Sequence, residues 1–309
     1  GVDKLRVGVI GIGRYAATTL VPAFRETGEA EVVAVCRRNP QLLRLVKDQL
    51  DVPRAYQDWR ELLAREKLDI AVVSTSSSSH CGPVVAALER GLHVLCEKPM
   101  ALSGADADRM VDAAKKAGRI LRVNYTSRLQ GRWRWAKRAL ADGTLGPIRQ
   151  IGASWCLDGR WFYHKRDQSW RAAEAKARRG SLSDVLLAEN LEPTNWRFRP
   201  EDAGPGWLVD CGTHLFDLIL WLSADEAAEV SALNSPLHEG RTTCVSVAAR
   251  FASGGLCTIS FNDGVAGDGS MFWAQGKLSL WGDDGTLSAD WSSWNPRKAT
   301  VSVLQRGLP

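Results

Sequence analysis

No two cysteines of this chain stand in C-x-x-C spacing, and the seven cysteines are an odd number. They read as small buried hydrophobes of a protein kept in a reducing compartment, so a cytoplasmic location is expected. No apolar run is long enough to span a bilayer, so no membrane partner is expected. Charge of one sign is also lacking, with 40 basic residues against 35 acidic ones for a net +5. That balance is too mild to argue for nucleic acid, and no basic run is interleaved with aromatics. The chain enters its first apolar strand at once, so no signal peptide is expected. What is present is an ordinary globular composition, 45% hydrophobic over 309 residues, long enough for two domains. The thirteen tryptophans are unusual.

The first stretch, LRVGVIGIGRYA, is the most informative. Val7, Val9 and Ile10 read as a short buried strand, followed by Gly11, Gly13 and Ala16 in the spacing G-x-G-x-x-A. In a dinucleotide-binding turn the first glycine takes the tight bend and the second lets the backbone approach a pyrophosphate. The third small residue lets helix pack on strand. A helix from about Tyr15 would point free N–H groups at the phosphates.

Strands at Glu31–Cys36, near Tyr56, and at Asp69–Thr75, His93–Cys96 and Ile120–Val123 then alternate with helices. Asp58 with Glu61, and Ser103, are placed to cap helices; Gly91 and Gly118 are placed to end them. This alternation predicts a doubly wound parallel sheet over 1–123, with ligands bound at the carboxyl ends of its strands. The tip of the second strand reads Cys36, Arg37, Arg38, Asn39, with no acid before Asp48. Two guanidiniums without a carboxylate suit a ribose 2′-phosphate, so NADP is expected in preference to NAD. Two solvated arginines on a surface turn is the other reading.

Thr75 and the serines Ser76–Ser79 fall between strand and helix and read as a loop over the cofactor, with His80 after it as a structural histidine. Lys98, in Cys96-Glu97-Lys98-Pro99, would project from the end of the fifth strand, where its ammonium can meet a substrate oxygen as charge develops. A solvated lysine is the alternative.

The second half, 124–309, reads as an α+β domain. A helix is expected at Gln130–Asp142 and strands at Ile148–Trp155, Thr243–Phe251, Gly255–Phe261, Ser270–Gln275, Lys277–Trp281 and Ala299–Gln305. Short turns between them make the sheet largely antiparallel. One helix is chemically loaded. At helical spacing Asp210, His214 and Asp217 share one face, and Leu215, Leu218, Ile219 and Leu222 form an apolar stripe on another. Asp210, Cys211 and His214 are a poor metal set, because neighbouring helical residues diverge, and no metal is expected. Residues 165–194 look like an insertion, with a helix at Ser169–Arg179, bordering the substrate mouth or a subunit contact and not the cofactor site. Trp155, Trp161, Phe162, Tyr163, Trp170 and Trp196 stand around it. Their flat faces suit a sugar ring, a core or an oligomer contact alike.

Taken together, VGVIGIGRYA, VVST with a following His, HVLCEKP, and WRFRPEDAGPGWLVDCGTHLFDLILWL resemble the Gfo/Idh/MocA oxidoreductases over nearly the whole chain. The resemblance implies an N-terminal Rossmann domain and a C-terminal domain with an open, predominantly antiparallel sheet, whose faces join many members into dimers or tetramers. It implies hydride transfer between a nicotinamide cofactor and a hydroxyl or carbonyl carbon of a sugar, cyclitol or keto-sugar. A dihydrodiol-type dehydrogenase and a non-catalytic dinucleotide-sensing regulator are the alternatives. Lys98, Asp210 and His214 become the implied catalytic set. The cofactor set becomes Gly11, Gly13, Arg14, Tyr15, Ala16, Arg37, Arg38, Ser74, Thr75, Ser76, His80, Glu97, Lys98 and Asn124. The substrate set becomes Tyr125, Trp155, Tyr163, Trp196 and Arg197. Thr75-Ser76-Ser77 departs from the family's T-P-x, and Gly204-Pro205-Gly206 from its G-G-G. The family pattern also implies a further helix and strand beyond Pro309.

Overall fold

The computed structural model describes residues 3–157, 180–190, 195–204, 206, 208–235, 244–263, 274–292 and 300–305. They fall into two compact units, one from Gly1–Asn124 and Arg166–Gly204, the other from Tyr125–Lys165 and Pro205–Pro309.

The first unit holds a six-stranded sheet of β1 (Leu5–Ile10), β2 (Ala30–Cys36), β3 (Arg54–Tyr56), β4 (Ile70–Val73), β5 (His93–Cys96) and β6 (Leu121–Val123). Their order is β3-β2-β1-β4-β5-β6, and every pairing is parallel. The order reverses between β1 and β4, the switch point where such sheets open a crevice for ligands. Helices α1 (Val21–Glu26), α2 (Pro40–Gln49), α3 (Trp59–Arg65), α4 (Cys81–Glu89) and α5 (Gly104–Ala117) alternate with the strands. Sequence chemistry sets their ends. Asn39 accepts from Gln41 N and Leu42 N, Asp58 from Arg60 N, and Ser103 from Asp106 N. Gly91 and Gly118 end α4 and α5 at positive φ.

The second unit is built on β7 (Ile148–Leu157), β8 (Ala227–Asn234), β9 (Cys244–Phe251), β10 (Leu256–Asn262), β11 (Ala274–Gly282), β12 (Gly285–Ser292) and β13 (Thr300–Gln305). The order is β13-β12-β11-β7-β10-β9-β8, antiparallel except where β10 runs parallel to β7. Helix α6 (Gly131–Ala141) and the helix Thr213–Ser223 share one core with the sheet, through Trp133, Ala136, Leu215, Leu218, Ile219 and Leu222 against Ile151, Leu278 and Leu280. The register puts Ser231, Ser246, Ala248, Thr258, Ser260, Gly152, Ser279, Ser288 and Ser302 on the opposite face, together with the larger Leu256, Lys277, Trp281 and Leu304.

The structure departs from sequence expectation at several elements. Two expected strands at Ser270–Gln275 and Lys277–Trp281 are one strand from Ala274 on, with Gly276 continuing the ladder opposite Trp155. Positions 270–273 lie outside the described residues, as does the helix expected at Ser169–Arg179. Strands β8 and β12 lie outside the expected set; β8 is exposed along its length, whereas β12 does alternate, burying Leu287 and Ala289 between Thr286, Ser288 and Asp290. The expected insertion is not an appendage of the second half. Its described helix, Leu182–Asn190, buries Leu186 in the first unit's core against Val35, Leu43 and Val46.

At the switch point Gly11 has φ +87°, and a Cβ there would sit 2.6 Å from the carbonyl carbon and oxygen of Ser74. Both contacts are backbone, so they cannot yield by a side-chain rotation. Gly11→Ala should therefore lower stability by about 2 kcal/mol or more. A urea-unfolding midpoint unchanged from wild type would contradict this.

Candidate functional site

The glycine turn is held to the sheet before it reaches a ligand. Gly11 N and Ile12 N both donate to Cys36 O, at 2.9 and 3.1 Å, tying the turn to the end of β2. Gly13 N donates to Gly11 O, and Ala17 N to Gly13 O, so the helix begins directly after the turn. The space where a side chain would begin at Gly13 is open, which leaves room for a diphosphate beside the backbone. Ala16 and Ala17 are buried against the strands. The residues therefore fit a dinucleotide.

The other carboxyl ends converge on the same place. Ser74 N donates to Ile10 O, Glu97 N to Val73 O and Asn124 N to Cys96 O, each at 2.8 Å. Asn124 Nδ2 donates to Glu97 Oε1 at 2.6 Å and lies 3.5 Å from the Tyr15 hydroxyl. Burial and then the Glu97 carboxylate push the Tyr15 hydroxyl above its ordinary pKa, so it remains a neutral donor. Ser76 and Ser77 are buried, with Ser76 Oγ bonded to Ser79 Oγ. His80 is almost wholly buried, with Nδ1 2.9 Å from Pro99 O and Nε2 3.3 Å from Thr75 O. It thereby fastens the cis Lys98–Pro99 turn to the end of β4. Lys98 lies two residues beyond the end of β5. Burial pushes the Cys36 thiol up to about 12 and Cys96 higher still, so neither is a nucleophile at neutral pH.

Arg37 corrects an expectation. It is not free at the β2 tip: Nη1 donates to Ile12 O at 2.7 Å, and Nη2 pairs with the Glu189 carboxylate. Arg38 is exposed. Arg14 Nε donates to Ser183 Oγ at 3.2 Å. The helix Leu182–Asn190 thus lies on the glycine turn and the β2 tip, whereas the sequence placed the insertion away from the cofactor side. Glu189 was missed, and no local signal points to it, since it lies 152 positions from Arg37.

In the second unit, His214 occupies the first turn of the helix Thr213–Ser223, 6% exposed, with Tyr125 edge-on at 5.7 Å between ring centroids. Asp210 lies in a widened π-type turn, Leu208–Gly212, just before it. The α-helical register therefore begins only at Thr213, one residue before His214. Asp217 forms a forked ion pair with Arg128, whose guanidinium also lies over Trp221.

Of the residues expected at the substrate, Trp155 is 5% exposed in the core, edge-on to Phe261, and fills that core. Trp196 is half-buried beneath the Arg197 guanidinium, 4.4 Å from its ring centroid. Arg197 Nη1 donates to Asn190 Oδ1 at 3.3 Å. Tyr163, Trp161, Phe162 and Trp170 lie outside the described residues. Among the described residues no group of three or more His, Cys, Asp or Glu side chains is arranged to hold a metal, and no helix is long and apolar enough to cross a membrane.

Residues 5–125 match the oxidoreductase family with an NAD-binding Rossmann fold, and residues 186–288 match the GFO/IDH/MocA C-terminal domain. The chain belongs to the Gfo/Idh/MocA oxidoreductase family. It is 30% identical to a D-apiose dehydrogenase of Paraburkholderia graminis, covering 99% of this chain and 80% of that protein. It is 27% identical to a myo-inositol 2-dehydrogenase of Thermotoga maritima, over 96% and 77% respectively. An aldose-aldose oxidoreductase from Caulobacter crescentus, solved with glycerol, superposes with a TM-score of 0.76 at 25% identity, over 99% of this chain and 82% of that one.

The buried His80 gives the site a pH dependence. Burial holds its pKa below the ordinary histidine value, against the Pro99, Thr75 and Met100 carbonyls that pull it upward. A lowered value favours the neutral ring in the folded state, so this stability is present above about pH 6.5 and is lost as pH falls below it. The stability difference between wild type and His80→Asn should shrink between pH 7.5 and 5.5. Denaturant unfolding at both pH values checks this, and a constant difference would rule it out.

Proposed function

We propose that this protein interconverts a hydroxyl and a carbonyl on a sugar, cyclitol or keto-sugar. The observation that carries the reading is Lys98 held at the carboxyl end of β5, in a turn fastened by His80 and flanked by the Glu97–Asn124–Tyr15 cluster. Gly11, Gly13, Tyr15, the Ser74–Ser76 loop, Glu97 and Asn124 would hold the dinucleotide. A bound nicotinamide supplies hydride donation or acceptance at the substrate carbon. The chain's own groups handle oxygen and proton. Lys98 hydrogen-bonds the reacting oxygen and stabilises negative charge as it develops. His214 gives a proton to that oxygen in reduction and takes one in oxidation, as an imidazole can near neutrality. Asp210 orients the imidazole or balances the lysine. The cyclitol and the sugar named for the two dehydrogenase relatives support this class of substrate.

An NADP preference read from Arg37 and Arg38 rests on Arg38 once Arg37 is paired; the choice between the two dinucleotides depends on charge at the β2 tip. The seven free cysteines support a reducing compartment such as the cytoplasm. The outer face of the second sheet, on which Leu233, Leu256, Trp281 and Leu304 are exposed, supports assembly into a homodimer or homotetramer.

Lys98→Met and His214→Asn should each lower kcat by about 10²–10⁴-fold in a polyol and keto-sugar screen, with dinucleotide still bound. Near wild-type turnover and an unchanged pH profile in His214→Asn would remove it as the proton carrier. Thr258→Arg, at the middle of the outer face, should shift the molar mass by light scattering toward the monomer. An unchanged mass would place the subunit contact elsewhere.

A further inference from the structure

The tip of β2 is where a dinucleotide-binding sheet reads the adenosine ribose. A carboxylate there accepts from the 2′-hydroxyl of NAD, and a free cation there takes the 2′-phosphate of NADP. The segment Cys36–Asn39 carries no carboxylate; nearby Asp58 caps α3 by accepting from Arg60 N, and the Asn39 side chain is engaged in capping α2. The carboxylate arrives from 152 positions away. Glu189 meets Arg37, whose guanidinium is also fixed by Ile12 O, and the two side chains are only 12% and 28% exposed.

The placement of Glu189 is built. Its helix, Leu182–Asn190, is anchored through buried Leu186 and through Ser183, which accepts from Arg14 on the glycine turn. Its first turn is closed by Asp184, which accepts from Ser181 N and Oγ at 2.9 and 2.8 Å. Its end is tied by Asn195 Nδ2 donating to Glu189 O at 3.2 Å. A carboxylate in the last turn of a helix faces the negative end of the helix dipole, so helix stability alone does not favour an acid at this position. Arg37 offsets that cost, and in doing so is no longer an uncompensated cation.

We propose that Glu189 sets the cofactor choice: it supplies the missing carboxylate at the β2 tip and makes the site selective for NAD(H) over NADP(H). The inference rests on the dinucleotide-binding reading. One carboxylate oxygen holds Arg37, and the carboxylate's remaining lone pairs can accept from a ribose hydroxyl. A 2′-phosphate would meet that negative charge, find Arg37 already neutralised and have only the exposed Arg38 at the tip to receive it.

The test titrates NADH and NADPH by fluorescence against the wild type, Glu189→Gln and the double variant Glu189→Gln with Arg37→Ala, each confirmed as folded by circular dichroism. The wild type should bind NADH at least 10-fold more tightly than NADPH. Glu189→Gln should move that ratio toward NADPH by 10-fold or more, and the added Arg37→Ala should reverse the gain. Wild-type preference for NADPH, or a ratio unmoved by Glu189→Gln, overturns the assignment of Glu189 while leaving dinucleotide binding intact. Should Glu189→Gln fail to fold, Arg37→Ala alone decides: leaving Glu189 uncompensated should move the ratio further toward NADH by 10-fold or more, and an unmoved ratio overturns the assignment. Binding of neither cofactor by folded wild type overturns the dinucleotide reading and this inference with it.

Discussion

The contact on which the first unit depends is backbone against backbone. Gly11, in a left-handed conformation, lies against the peptide after Ser74, closer than any side chain allows. That approach brings β1 and β4 together at the point where strand order reverses, so the glycine turn, the Ser74–Ser76 loop and the end of β2 share one crevice. The motif works here as a packing constraint first and as a ligand cradle second.

Around that contact the polar groups are placed by buried fastenings. His80 uses its ring to hold the Pro99 carbonyl, so the orientation of the lysine turn depends on a residue that need touch no ligand. Asn124, one residue beyond β6, holds Glu97, one residue beyond β5, so neighbouring strands fix each other's termini. In the second unit a widened turn before Thr213 puts Asp210 and His214 in different local geometries, and an Arg128–Asp217 pair anchors the same helix at its middle. Irregular turns of this kind recur where a helix presents functional groups, because the shift re-aims side chains that a regular helix would align.

Charge at the β2 tip illustrates how burial changes the meaning of a residue. An exposed Arg37 would be a ready anion site, while a paired one is a structural member of the Leu182–Asn190 docking contact. The same substitution of context applies to Trp155, whose flat ring reads as a sugar platform in sequence and as core in the structure.

The sequence by itself determined the elements whose signals are local. The G-x-G-x-x-A turn, the alternating strands and helices of the first half, the caps at Asp58 and Ser103, and the apolar stripe on the Thr213–Ser223 helix all depend on neighbours within a few residues. The resemblance carried by these motifs identified the family as well. Tertiary structure alone decided the rest. It merged two strands across Gly276, added the exposed edge strand β8, and buried Leu186 in the first unit's core. It also joined Arg37 to Glu189. Each of these depends on partners far apart in the chain, and periodicity carries no information about which distant carboxylate a guanidinium will meet.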